Sequence, residues 1–165
     1  MITRFLALTV AVIVSGTASL HAQGAALLRE LPAVGVQIVG ITPAAAALGI
    51  DSTDLQRRSE QKLRAAGFVV AVGADLLEHP ETPLLIVNLG LFRTRDSSAV
   101  YRVALELMEQ VQLMRNGLAT HAIGWSEQMI GFGPAMRSAA ATRAALDQLL
   151  EMFLSQAREA TLGLR

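Results

Sequence analysis

The feature that most constrains this chain is Asn116-Gly117, set between two long runs of strand-forming residues that together cover positions 100–131. Asn-Gly readily supplies consecutive positive φ angles, which a tight hairpin needs if its twist is to match its strands. A two-residue loop there places Leu113 opposite Thr120, Val111 opposite Ala122, Glu109 opposite Gly124 and Leu107 opposite Ser126. Tyr101, Val103, Leu105, Leu107, Val111 and Leu113 alternate with Arg102, Glu106, Gln110 and Gln112, the period-two pattern of a strand with one buried face. Glu109 breaks the pattern on the apolar side. A buried carboxylate needs an Arg from a neighbouring element, or a bulge that turns it outward. The same residues also fit a helical stripe through Val100, Val103, Ala104, Leu107, Met108, Val111 and Met114. The β-branched and aromatic opening Val100-Tyr101-Arg102-Val103, followed by a turn signal, favours the strand.

The other face of the hairpin carries Met108, Gln110, Gln112, His121, Ile123 and Trp125. A thioether and an indole among amides suit an interface better than a purely solvated face, which would be richer in Lys, Glu and Thr. These six residues are therefore the candidate binding surface. Residues 44–49 or a second copy of the chain, as a homodimer, are the competing covers for it.

Around the hairpin, the order of elements reads β-α-β-β-β-β-α. Residues 34–41 are rich in β-formers and end at Thr42-Pro43, since proline cannot donate to a ladder. A helix opens at Asp51 or Thr53, with Thr53 and Gln56 at capping-box spacing, and closes at Ala66 with Gly67 as a left-handed cap. Its apolar stripe is Leu55, Ser59, Leu63 and Ala66, while Arg57, Arg58, Glu60, Lys62 and Arg64 are expected mostly in water. Residues 68–72 read as a short strand, 73–83 as a polar loop with two prolines, and 84–92 as a strand covered on both faces. A final helix is expected from Gly133-Pro134, with the stripe Leu146, Leu149, Leu150, Phe153, Leu154 and Ala157. Two helices on one face of a largely antiparallel sheet make an α+β two-layer sandwich.

The first residues speak about destination. Arg4 precedes an apolar run from residue 5 to 14, and small residues follow through Ala22, the pattern of a secretory signal peptide cut after Ala18 or Ala22. The run is shorter than the ~20 residues that span a bilayer. Residues 23–165 then form one domain, expected in the periplasm or secreted. The whole chain has 165 residues and a formal net charge of +0, and loss of Arg4 leaves one fewer basic than acidic residue, which disfavours nucleic acid. It has no cysteine, hence no disulfide, no thiolate metal site and no lipid-bearing cysteine.

No G-x-S-x-G, H-E-x-x-H, phosphate loop or dinucleotide fingerprint occurs. Gly131-Phe132-Gly133 reads as a strand-to-helix connection. His121 has no second ligand at metal spacing, and His79 beside Glu78 and Glu81 sits in a polar loop. No catalytic residue, metal or cofactor is therefore assigned. The opening strand, the helix closing on Leu63-Arg64-Ala65-Ala66-Gly67-Phe68, the hairpin sheet and the long last helix resemble a group of bacterial envelope proteins. These include the lipopolysaccharide-assembly lipoprotein of the outer membrane and the N-terminal domain of the Tol-Pal propeller protein. The resemblance implies a non-enzymatic binding or assembly role, with an envelope protein or lipid-like ligand as partner. A small periplasmic hydrolase is the alternative.

Overall fold

The computed structural model describes residues 27–29, 31, 33–79 and 81–163, so the signal-peptide reading and its cleavage site lie outside the described residues. Five strands, β1 (Val34–Val39), β2 (Val70–Ala71), β3 (Leu84–Arg93), β4 (Ser98–Gln112) and β5 (Ala119–Pro134), form one sheet in the order β2-β1-β3-β4-β5. The β3–β4 and β4–β5 pairs are antiparallel, while β1 pairs in parallel with both β2 and β3. Four helices are described: α1 (Pro43–Ala47), α2 (Ser52–Ala65), α3 (Ala74–Glu78) and α4 (Ser138–Leu162). The fold is α+β, with the two long helices on one face of the mainly antiparallel sheet.

Local chemistry accounts for the helix ends. Asp51 is the N-cap of α2, its carboxylate accepting from the Thr53 backbone N–H at 2.9 Å, so Thr53 lies inside the helix and its expected capping box is not used. At the other end Gly67 takes a φ of 95°, and the N–H groups of Phe68 and Gly67 donate to the carbonyls of Leu63 and Arg64. Phe68 is thereby aimed at α4, its ring 6.0 Å from that of Phe153.

The core is the layer between this sheet face and the helices. Leu146, Leu149, Leu150, Phe153, Leu154 and Ala157 of α4 are all buried, against Val87, Val103, Leu105 and Leu107 of the sheet and Leu55 and Leu63 of α2. The charged face of α2 is only partly in water. The Arg58 guanidinium grips Asp147 of α4 with two hydrogen bonds of 2.8 and 2.6 Å, Lys62 reaches Glu151 at 2.9 Å, and Arg143 reaches Asp54 at 3.2 Å. These ties pin the two long helices side by side.

Three expectations about extent are corrected. The polar excursion after residue 73 contains a helical turn, α3, whose Leu76 side chain packs over Gly35 and Leu84 on the other face of the sheet. The last helix starts at Ser138 rather than at Gly133-Pro134. The ladder runs on until Pro134 pairs with Ser98, and proline is tolerated because β5 is an edge strand. Strand β3 is fully covered on one face, where Leu85, Val87, Leu89 and Leu91 are buried, and only partly on the other, where Leu84 and Ile86 are half-buried and Phe92 is 70% exposed.

Candidate functional site

The hairpin forms where Asn116-Gly117 places it, but with a longer turn. Gly117 alone takes a positive φ, 68°, and Leu113 N–H donates to the Leu118 carbonyl at 2.9 Å, so residues 114–117 make a four-residue loop. Pairing shifts by two positions: Gln112 faces Ala119, Gln110 faces His121 and Glu109 faces Ala122. Because side chains alternate with period two, this shift leaves every residue on the face that a two-residue loop would assign it.

A second irregularity is not silent. Met108 pairs with Ile123 and Leu107 with Trp125, so Gly124 is an extra residue in β5, a β-bulge. The one-residue shift exchanges the faces of everything after it. Ser126, Gln128, Ile130 and Phe132 turn to the outer face, and Trp125 turns inward. Trp125 is only 5% exposed; its indole N–H donates to Gln156 of α4 at 2.8 Å and its ring meets Phe153 edge-on at 5.2 Å. The tryptophan is a core residue, and it leaves the candidate surface. The other five members stay together on the outer face: Met108 half-buried beside Ile123, with Gln110, Gln112 and His121 exposed.

Glu109 keeps its place on the side of Leu107. The bulge lies in the opposite strand and does not turn it out. No salt bridge joins it to a cation among the described residues, and burial pushes its carboxyl above the ordinary range. Its Oε2 stands 3.2 Å from where a Cβ on Gly124 would lie, and the same Cβ would meet Leu27 at 2.6 Å. A glycine is thus suited to the bulge in this setting.

What the sequence reading missed is the far end of the outer face. In register, Phe92, Val100 and Phe132 form one row across β3, β4 and β5, and Gly90, Arg102 and Ile130 form the next. Phe92 is 70% exposed, Ile130 and Phe132 67% each, and no helix among the described residues covers them. A polar border follows, with Arg102 Nε donating to Gln128 at 2.7 Å and its guanidinium 3.9 Å from Glu106. Beneath this end, the ring of Tyr101 occupies the space a side chain on Gly131 would need, so Gly131 lets the tyrosine lie flat over β5. The signal was present in Gly131-Phe132-Gly133 once those residues are read as strand.

His79 pairs with Glu81 at 3.2 Å in an exposed loop, His121 is exposed on β5, and among the described residues no group of three or more His, Asp or Glu could hold a metal ion. Among the same residues no helix is long and apolar enough to cross a membrane.

No family model matches this chain, and no curated protein does. Among solved structures it is similar to the PelC dodecamer from Paraburkholderia phytofirmans, at 17% identity over 76% of this chain and 90% of that one, with a TM-score of 0.47. At that distance the likeness carries no argument about fold or role.

Proposed function

We propose that this chain is a non-enzymatic binding module of the cell envelope, and that an envelope protein with an apolar surface docks on the outer face of its sheet. The observation that carries the reading is the exposed pair Phe92 and Phe132, which flank the half-buried Val100 in one row with Ile130 beside it, on a face the two long helices leave open. Large apolar side chains grouped at one end of a sheet and bordered by Arg102 and Gln128 fit the anatomy of an interface, an apolar centre inside a polar rim. The surface continues toward the hairpin through Met108 and Ile123, and Ile123 is 54% exposed. The envelope assignment rests on the Arg4-led apolar run and small residues of the first 22 positions.

The test is photo-cross-linking in living cells. A benzophenone side chain at position 132 should yield a discrete adduct with one envelope protein. The same group at position 61, an exposed site on α2, should yield none. Adducts of equal yield at both positions would overturn the docking face, and an adduct of the chain with itself would replace the partner by a second copy.

A further inference from the structure

The helical layer contains a cavity that the outer face does not involve. It opens between the C-terminal ends of α2 and α4, holds about 450 Å³, and is walled by Leu28, Leu31, Phe68, Val69, Ala157 and Leu162. Its volume falls within the ~300–1,000 Å³ typical of small-ligand sites, and an apolar wall offers water few partners. Leu28 is buried in the core, while Val69 and Leu162 are exposed at the mouth, so the cavity leads from solvent to the interior.

Charge at the mouth selects the other half of the ligand. Arg158 and Thr161 complete the lining, and Arg158 makes no ion pair with any described residue. A second guanidinium, Arg29, stands close by, its Nε donating to the Ala160 carbonyl at 3.3 Å. Against these stand the C-terminal ends of α2 and α4, each equivalent to roughly −0.5 charge. Arg158 is the one charged side chain among the described residues that line the cavity, so the charge that faces a ligand at its mouth is positive.

We propose that this cavity binds the aliphatic tail of a single-chain anionic amphiphile of the fatty-acid class, with the carboxylate held by Arg158. The long apolar wall excludes a compact polar ligand, and the guanidinium at its mouth discriminates against a neutral or cationic head.

The test titrates the purified protein with laurate below its micellar concentration, followed calorimetrically, with dodecyltrimethylammonium as the cationic control. Laurate should saturate a single site and bind at least tenfold more tightly than the cation. Arg158→Glu should weaken laurate tenfold or more. Thr161→Trp or Val69→Trp, either of which places an indole in the mouth from an exposed position, should abolish the site without unfolding the chain. The proposal is overturned if laurate fails to saturate, if the cation binds equally well, or if Arg158→Glu and whichever folded tryptophan variant is available bind laurate like the parent. None of these readouts depends on the outer face.

Discussion

The two faces of the sheet are made from the same strands by alternation, yet they differ in what covers them. On one face Leu105, Leu107 and Trp125 meet Phe153 and Leu149 under two long helices tied together by Arg58 and Asp147. On the other, α3 brings Leu76 over Gly35 and Leu84, and the end formed by Phe92, Ile130 and Phe132 is left bare. Gly124 decides which residues go where, because one inserted position exchanges the faces of β5 beyond it. A single bulge both sinks the tryptophan into the core and presents the isoleucine and phenylalanine to solvent. Side-chain parity thus separates the residues that hold the fold from those of the proposed docking face, and each substitution tests on which side a residue falls.

The largest effect belongs to the covered face. Trp125→Ala removes a buried aromatic and leaves a cavity against Phe153, so urea unfolding should show a loss of about 3–5 kcal/mol; a near-neutral result would return Trp125 to the surface. Gly131→Ala sets a methyl against the Tyr101 ring and should lose about 1–3 kcal/mol by the same measurement. Thr142 works the other way. Its hydroxyl is buried in α4 with no hydrogen-bond partner among the described residues, so Thr142→Val should raise stability by about 1 kcal/mol, the desolvation cost of an unmet group.

The tie between the helices should be smaller and pH-dependent. The Arg58 guanidinium holds the Asp147 carboxyl below its ordinary range, and Lys62 adds to this. A carboxyl whose folded pKa is depressed stabilises above its unfolded pKa and ceases to do so as pH falls through the folded value. A double-mutant cycle on Arg58 and Asp147 should therefore give about 0.5–1 kcal/mol at pH 7, allowing for screening at this partly exposed pair, and nothing in strong acid. The smallest effect on stability is expected on the bare face, where Phe132→Ser should change the unfolding free energy by no more than about 0.5 kcal/mol. It should nevertheless remove partner capture. A core-sized loss of stability would mean that this face is packed after all.

How much of this was legible follows from the range over which each signal acts. The β4 alternation, the Gly67 stop and the α4 stripe are local signals, and each appears as read; at the start of α2, where Asp51 and Thr53 both offer a cap, Asp51 takes it. The bulge is one residue long. Its only mark is a glycine inside a strand, and a two-residue loop at Asn116-Gly117 gave the regular register no reason to break. Hence Met108, Gln110, Gln112, His121 and Ile123 share the outer face, while Trp125, one position past the bulge, lies on the inner one. Phe92 and Phe132 were missed for a related reason: exposure of a large apolar residue on a sheet depends on what packs above it, which neighbours in sequence do not encode. The ties of Arg58 and Lys62 to α4 are of the same kind, being contacts between segments some 85–89 positions apart.

Oxidative footprinting of the purified protein, read by mass spectrometry with and without envelope extract, tests the division of the two faces most directly. Phe92 and Phe132 should be modified rapidly in the isolated protein and become protected in the extract, with Trp125 slow in both. Modification of Phe132 as slow as that of Trp125, or no change at Phe92 and Phe132 on adding extract, would contradict it.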